Sequence, residues 1–346
     1  MILNIAAGFA KQGVPIDLVL SRAEGPYLDQ VPRDVHVVDL SASRVLRSMR
    51  PLVQYLRRER PRALLAALDH ANLVAIAAAR LAGTRTRTVI SVHCTFPKNV
   101  QGPVDVREAA IPWLLGRMHR WADAIVAVSE GVAADLSASS GIPRERIDVI
   151  YNPVITPGLF SAASARPAHA WFDESSRVVL GIGRLVPQKN FPLLLEAFRI
   201  VRRDRDVKLV ILGEGSERPA LEAYVQQHGL ADSVSLPGFL ENPYACMSRA
   251  AVTALSSNFE GLPTVLVESL ALGTPVVSTD CESGPREILR NGTLGDLVPI
   301  NDVAALAQAI ARTLDRPRPV VPLDALGPFV LDSVLDRFRG VLQLDA

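Results

Sequence analysis

Residues 259–289, FEGLPTVLVESLALGTPVVSTDCESGPREIL, contain a helix pattern, a strand pattern and two glycine-bearing loops in succession. Pro263 to Gly273 predicts a short helix, because Leu and Val recur at helical spacing and a glycine followed by Pro275 is typical of a helix end. The run PVVSTD predicts a buried strand, and Gly284 lies on the turn before another helix. Short buried strands that alternate with helices indicate an α/β protein with a parallel sheet.

The same alternation extends over nearly the whole chain and falls into two series. We therefore predict two doubly wound, Rossmann-like parallel-sheet domains, 1–153 and 172–327, that face a cleft. The stretch 154–171, rich in proline and small residues, is predicted to be a linker. A last helix in 328–346 is predicted to complete the first domain. Ligands of such sheets bind beyond the carboxyl ends of the strands, so the functional site is expected there.

Composition and charge limit the classes of function. The 346 residues carry a net charge of +1, so nothing global indicates a nucleic-acid partner. Cys94, Cys246 and Cys281 are scattered without a CxxC, which argues against a disulfide framework or a zinc site and suits a cytoplasmic protein. No run is apolar enough to cross a bilayer, and the start does not resemble a signal peptide. The arginine-rich stretch 33–62 is either a solvated helix face or a peripheral contact with anionic lipid at the inner face of the cell membrane.

An anion site is predicted in the segment VVLGIGRLVPQKNF, which joins a strand to a helix. Gly181 and Gly183 allow the backbone to approach an anion, and Arg184 and Lys189 supply charged donors. Asn190 then begins a helix whose free amides add positive potential. The segment has neither the GK[ST] of a Walker loop nor a complete GxGxxG, and glycines at a strand end also serve packing alone. The lysine five residues after the arginine favours the phosphate interpretation.

Two glutamates stand out in the opening stretch. Glu260 lies on the loop before the predicted helix, and Glu268 lies among Leu and Val in its middle, so both carboxylates can face one pocket. A carboxylate can accept hydrogen bonds from two sugar or ribose hydroxyls. The alternative for Glu268 is an ordinary surface position. Ser283 and Gly284 form a further turn before a helix that could receive an anion.

Taken together these segments resemble family 4 retaining glycosyltransferases, which are two-domain enzymes of the GT-B type. FEGLPTVLVE is similar to the E-x7-E element of that family, and GIGRLVPQKNFPLLLEAF is similar to its phosphate-binding segment. ADAIVAVSEGVAADL, IDVIYNPV, GTPVVSTDCESGPREIL and GDLVPINDVAALAQAI also fit. The resemblance covers nearly the whole chain.

The resemblance implies roles for individual residues. Arg184 and Lys189 would hold the donor diphosphate, Glu260 the transferred sugar and Glu268 the nucleotide ribose. His93, at the end of a first-domain strand, resembles a histidine that faces donor sugar and acceptor; a satisfied strand-end histidine is the alternative. Catalytic roles are thus implied for Glu260, His93, Arg184 and Lys189. The implied donor-binding set is Gly183, Arg184, Lys189, Glu260, Gly261, Leu262, Thr264, Glu268, Ser283 and Gly284.

The implied reaction moves a hexosyl or N-acetylhexosaminyl group from a nucleotide-sugar to a saccharide or lipid-linked saccharide, with retention of anomeric configuration. A UDP-sugar donor is favoured, with GDP-mannose as an alternative, in surface polysaccharide or glycolipid synthesis. Fixed cations at the diphosphate would stabilise its departure. The one D-x-D sequence, DRD at 204–206, lies on a probable helix edge rather than at a strand end, so neither a metal nor a cofactor is expected.

Three alternatives remain at the level of sequence. The family's first strand and glycine-rich loop are not found before the helix pattern ILNIAAGFAKQG, so a truncated, inactive nucleotide-sugar-binding remnant is one alternative. A sugar epimerase on the same fold would need no acceptor. A dinucleotide-dependent oxidoreductase would require a complete GxGxxG motif, and GIGRLVP lacks the third glycine of that motif.

Overall fold

The computed structural model of the chain describes residues 1–25, 28–94, 116–173, 177–318 and 321–345. The chain divides into two compact units. The first comprises Met1–Pro153 together with Pro328–Ala346, and the second comprises Val154–Gly327.

Strands and helices alternate along both units. The strands are, in chain order, β1 (Ile16–Leu20), β2 (Val35–Asp39), β3 (Ala63–Ala67), β4 (Arg87–Val92), β5 (Ala124–Ala127), β6 (Ile147–Val149), β7 (Arg177–Ile182), β8 (Val207–Leu212), β9 (Val234–Gly238), β10 (Val252–Leu255), β11 (Val276–Thr279) and β12 (Asp296–Val298). The α-helices are, in chain order, α1 (Ile2–Lys11), α2 (Met49–Glu59), α3 (Asp69–Ala82), α4 (Glu130–Ser140), α5 (Pro157–Ala163), α6 (Phe191–Val201), α7 (Arg218–Gln227), α8 (Tyr244–Met247), α9 (Thr264–Ala271), α10 (Pro285–Ile288), α11 (Val303–Asp315) and α12 (Leu331–Leu342).

The parallel strands of the first unit form two groups. β1 pairs with β2, and β3, β4, β5 and β6 form a four-stranded sheet in that order. Ile16 of β1 and Leu65 of β3 pack in one apolar cluster with α1 and α12. Val19 and Leu64, of the same two strands, pack in another cluster with α2 and α3. β1 and β3 therefore share both helical layers, although no ladder of hydrogen bonds joins them among the described residues.

The C-terminal helix α12 packs within the first unit. Its apolar face includes Val334, Leu335 and Phe338, all buried against Phe9 of α1. A Cβ on Gly8 would lie 2.5 Å from a methyl carbon of Leu335, so the two helices approach each other closely. This spacing of buried residues is that of an amphipathic helix with one stripe facing the core.

One segment differs from the sequence-based prediction. The stretch 154–171, predicted to be a linker, contains α5 and belongs to the second unit. Pro51 lies in the first turn of α2, where its missing N–H would have no partner within the helix. Residues 116–119, which precede β5, are helical.

The second unit contains a six-stranded parallel sheet in the order β12-β11-β10-β7-β8-β9. The chain runs from β7 outward through β8 and β9, then returns to place β10 on the other side of β7. The loops after β7 and β10 therefore leave the sheet in diverging directions. Such a reversal of strand order is where doubly wound sheets bind ligands, at the carboxyl ends of the strands. No helix among the described residues meets the length and hydropathy needed to traverse a lipid bilayer.

Candidate functional site

Three loops of the second unit meet at the carboxyl ends of β7, β10 and β11. They are residues 183–190 after β7, 256–263 after β10 and 280–284 after β11. All three follow strands with buried interiors, so their positions are fixed by the core of the sheet.

Hydrogen bonds join the first loop to the second. The Ser256 hydroxyl donates to the carbonyl of Lys189 at 2.9 Å, and the backbone N–H of Asn258 donates to the backbone carbonyl of Gln188 at 2.9 Å. The side-chain amide of Gln188 donates in return to the carbonyl of Phe259 at 2.9 Å. These bonds hold the loops after β7 and β10 together although they are far apart in sequence.

The third loop packs on the second. The Thr279 hydroxyl donates to the carbonyl of Ser257 at 2.7 Å. Gly284 has φ +90°, and a Cβ at this position would lie 2.4 Å from Cδ of Pro263. Only glycine therefore fits both the backbone conformation and the space at this point.

Lys189, Glu260 and Ser257 form a polar cluster where the loops meet. Lys189 Nζ lies 2.5 Å from Glu260 Oε1, and the Ser257 hydroxyl donates to the same oxygen at 2.6 Å. The side chains of Lys189 and Glu260 are only 17% and 7% exposed. Burial, followed by the charge of Glu260, raises the pKa of the neighbouring Cys281 thiol to about 12. The cluster is thus a nearly buried ion pair whose second carboxylate oxygen makes no bond within the described part of the chain.

Gly183 and Arg184 flank this cluster. A Cβ on Gly183 would lie 3.2 Å from Cε of Lys189, so the lysine side chain extends directly over the glycine. Arg184 is exposed and makes no ion pair among the described residues. A guanidinium without an ion pair, on the same loop as the paired lysine, provides positive charge for an incoming anion.

Asn190 directly precedes α6, as the sequence predicts. It precedes α6 with φ 47° but makes no side-chain hydrogen bond to the helix amides. Its Nδ2 instead donates to Oδ1 of Asn258 and of Asn301, both at 3.0 Å. The Asn190 side chain therefore joins its loop to Asn258 and Asn301 and does not cap α6.

Glu268 lies in the middle of α9, as the sequence pattern predicts, and Thr264 begins that helix. Burial raises the pKa of Glu268 to about 7. In the described part of the chain its side chain makes no ion pair or hydrogen bond, and none joins that side chain to Glu260 or Lys189. The two glutamates are therefore in different states: Glu260 is paired, and Glu268 is not.

The remaining predicted donor-site residues lie on the loops after β10 and β11. Gly261 and Leu262 are buried between Glu260 and the start of α9, and Ser283 has φ 64° on the turn before Gly284. A Cβ on Gly284 would also lie 3.1 Å from Cα of Leu262, so these residues form one packed surface.

Sequence reasoning did not single out Ser256 and Ser257 as site residues. Both are buried at the end of β10, and one binds the backbone of Lys189 while the other binds Glu260. The signal was present, because two adjacent hydroxyls at the carboxyl end of an apolar strand need partners when buried. The partner of Ser256 comes from the loop after the neighbouring strand β7, whereas Ser257 bonds Glu260 three residues further along its own loop.

His93 lies at the end of β4 in the first unit. Its Nε2 lies 3.0 Å from the hydroxyl of Ser91, which is buried. Burial, with a smaller effect of the N-terminal amino group, lowers the pKa of His93 to about 4. The ring is therefore neutral near pH 7 and can offer one donor and one acceptor nitrogen.

Metal-ligating side chains do not gather in the part of the chain that the structure describes, where no group of three or more His, Cys, Asp or Glu could hold an ion. The charged side chains on these loops include the cations Arg184 and Lys189 and the carboxylate of Glu260, which is paired with Lys189. The arrangement can bind an anion together with hydroxyl groups.

Both halves of the chain match families of known proteins. The family described as Glycosyl transferases group 1 matches residues 166–322, and Glycosyltransferase Family 4 matches residues 1–156. A Campylobacter jejuni relative, N-acetylgalactosamine-N,N'-diacetylbacillosaminyl-diphospho-undecaprenol 4-alpha-N-acetylgalactosaminyltransferase, is 32% identical over 72% of this chain and 66% of its own length. The matches span 29% and 24% of two further curated relatives, so the chain covers less than two thirds of these proteins.

Solved structures share the fold. The lipopolysaccharide outer core galactosyltransferase WaaB has a TM-score of 0.72 at 20% identity and covers 100% of this chain and 95% of its own. Anabaena Alr3699/HepE in complex with UDP has a TM-score of 0.75 at 20% identity, with coverage of 99% and 94%. Glycosyltransferase families match both halves of the chain, and a solved glycosyltransferase shares its fold. The chain therefore belongs to family 4 of the glycosyltransferases and has their GT-B fold.

Proposed function

We propose that this chain is a retaining glycosyltransferase that moves a sugar from a UDP-sugar to a saccharide or lipid-linked saccharide in lipopolysaccharide or surface polysaccharide synthesis. The observation that carries the proposal is the nearly buried Lys189–Glu260 pair at the switch point of the second sheet. It combines a cation for a diphosphate with a carboxylate for sugar hydroxyls in one place.

The donor diphosphate is assigned to Lys189 and Arg184. Breaking the bond between the anomeric carbon and the diphosphate leaves negative charge on the leaving group. Positive groups fixed beforehand stabilise that charge in the transition state. This is the task that a divalent ion performs elsewhere, so the proposal includes catalysis without a metal.

The hydroxyl groups of the donor are assigned to the glutamates. The unbonded oxygen of Glu260 accepts from the transferred sugar, and Glu268 accepts from the ribose. His93, neutral and at the carboxyl edge of the first unit's sheet, would contact the sugar or acceptor. The departing diphosphate itself takes the proton of the acceptor hydroxyl.

The relatives support the choice of donor and acceptor. UDP is bound in the solved Anabaena structure, and the Campylobacter relative is named for a diphospho-undecaprenol saccharide. A lipid-linked acceptor fits a peripheral contact of the exposed arginines Arg44, Arg50 and Arg58 with anionic lipid. GDP-mannose is the alternative donor.

The test is calorimetric titration with UDP, UDP-sugars and GDP-mannose in the presence of EDTA. We expect one nucleotide class to bind, and Lys189→Ala to weaken it by about tenfold or more because a charge-assisted bond is lost. The matched control is Lys208→Ala, which removes a lysine of β8 in the same unit. This variant should bind the nucleotide with the affinity of the parent.

Product analysis separates the alternatives. Sugar transfer with the anomeric configuration kept supports the proposal, and an inverted product contradicts it. Isomerised UDP-sugar without acceptor would indicate an epimerase. Nucleotide binding without any product would indicate an inactive remnant, and failure of every nucleotide to bind a folded protein would refute the proposed donor site.

A further inference from the structure

Two donors meet at one oxygen of the Glu260 carboxylate. The Ser257 hydroxyl lies 2.6 Å from Oε1, and Nζ of Lys189 lies 2.5 Å from the same atom. A carboxylate oxygen offers two lone-pair positions, so these two donors satisfy Oε1 completely. Oε2 makes no hydrogen bond within the part of the chain that the structure describes, and the side chain retains 7% exposure. Glu260 therefore has one oxygen bound to the protein and one that is open to a ligand.

Lys189 alone would leave the orientation of this carboxylate undefined. Its ammonium is a compact charge with three rotatable donors on a flexible stem, so it attracts either carboxylate oxygen. The Ser257 hydroxyl has a single proton on a one-carbon side chain and donates to one oxygen only. Ser257 therefore decides which oxygen of Glu260 stays unbonded.

Ser257 is itself held in place by its surroundings. The residue is fully buried, and its carbonyl accepts a hydrogen bond from the Thr279 hydroxyl at 2.7 Å. Its two chain neighbours, Ser256 and Asn258, both donate to backbone carbonyls of the loop after β7. The hydroxyl is thus aimed at Glu260 by the core of the sheet before any ligand arrives, which is the arrangement expected of a group that orients a binding side chain.

We propose that Ser257 is the positioning residue for recognition of the donor sugar. By occupying Oε1, its hydroxyl presents Oε2 of Glu260 to the sugar that is transferred. This inference rests on the proposed transferase function and deepens it. Because Oε1 is filled, Glu260 does not bridge two vicinal hydroxyls with one oxygen each, and its recognition of the sugar depends on a hydroxyl that reaches Oε2.

The test is a double-mutant cycle between Ser257 and the hydroxyls of the sugar, measured by calorimetric titration of the full chain. The probes are UDP, UDP-glucose, UDP-galactose, UDP-N-acetylglucosamine and UDP-N-acetylgalactosamine. The UDP-sugar that binds most tightly is then replaced by its analogues lacking the 3-, 4- or 6-hydroxyl. We expect removal of one of these hydroxyls to weaken binding to the parent by about tenfold, because a hydrogen bond to a charged acceptor is lost. In Ser257→Ala the same removal should change the affinity by about twofold or less, since the carboxylate no longer presents Oε2 to the sugar.

Three further comparisons separate positioning from a structural role. Ser257→Ala should bind UDP itself like the parent, because UDP carries no sugar and the cations at the diphosphate are retained. Ser257→Thr keeps the hydroxyl and should restore the discrimination. Ser257→Cys keeps the size of the side chain with only a weak donor, so it should behave like Ser257→Ala and replaces that variant if alanine prevents folding.

Ser233→Ala is the matched control. Ser233 is another buried serine of this unit, and its hydroxyl donates to the carbonyl of Leu230 at 3.2 Å. Its removal should leave both the UDP affinity and the discrimination between sugar hydroxyls as they are in the parent.

The outcomes distinguish this inference from the proposed function. If neither UDP nor any UDP-sugar binds the parent, the proposed donor function fails. If UDP binds but no sugar hydroxyl matters, or the same hydroxyl matters equally in Ser257→Ala, the positioning role alone is wrong. Equal weakening of UDP and UDP-sugar in Ser257→Ala would show a structural role and would likewise overturn it.

Discussion

At the scale of single residues, the Lys189–Glu260 pair is the centre of the site. Each side chain is nearly buried, so each depends on the other for neutralisation. A buried charge left alone costs far more than a surface charge, which water solvates.

Lys189→Ala should therefore destabilise the second unit by about 3–5 kcal/mol, and the double variant Lys189→Ala/Glu260→Ala should recover part of that loss. Urea unfolding of the parent, both single variants and the double variant measures the coupling. The exposed pair Arg166–Asp173 is the control, with an expected coupling of about 0–1 kcal/mol. Additive losses at Lys189 and Glu260 would contradict the pairing.

Glu268 predicts a dependence of stability on pH. Its pKa of about 7 in the folded chain lies above the usual 4.5, so the folded protein holds this proton more tightly than the unfolded chain. The stabilisation is complete below about pH 4.5 and is lost as the pH rises through 7. Thermal unfolding from pH 5 to 8 should show Glu268→Gln gaining stability relative to the parent as the pH rises. A constant difference over this range would mean that the carboxyl is not desolvated.

At the scale of elements, the turn before α10 is positioned by Gly284. Gly284→Ala should destabilise the chain by about 2–4 kcal/mol, because the left-handed backbone is strained and the new Cβ meets Pro263. Gly273→Ala at the end of α9 is the control: its φ is +74° but a Cβ there meets nothing within 4 Å, so only about 1 kcal/mol is expected. Urea unfolding of both variants, with UDP titration, checks this. Equal losses would show that the packing of the two loops does not matter.

At the scale of the whole molecule, the two units differ in whether their strands form one continuous sheet. The six described strands of the second unit form one sheet. In the first unit, β1 and β3 pack against the same helices, but no ladder of backbone hydrogen bonds joins them among the described residues. Unpaired strand edges open more readily to solvent.

Hydrogen exchange should therefore be faster at β1 and β3 than at β4 or at the central strands β7 and β10. Mass spectrometry of peptic fragments measures the protection strand by strand. Protection of β1 and β3 equal to that of β4 would contradict open edges and show that both are hydrogen-bonded on each side.

The local structure around the site was readable from the sequence. The helix over Thr264–Ala271 with Glu268 in its middle, and the loop carrying Glu260 before it, follow from residue periodicity and from the Gly273 stop. The alternation of strands and helices likewise predicted an α/β protein, because each pattern depends on residues close in the chain. The two-unit GT-B fold was predicted through the family resemblance, which the family matches confirm.

What only the tertiary structure decided is which strand ends meet. Lys189 and Glu260 are 71 residues apart, and they pair because β10 returns to lie beside β7. The same return gives the Ser256 hydroxyl its partner, the carbonyl of Lys189. Periodicity records which face of a strand or helix is apolar, but the order of strands in a sheet arises from packing between distant segments. The sequence alone therefore determined the elements and the kinds of chemical group, and the fold determined which of those groups act together.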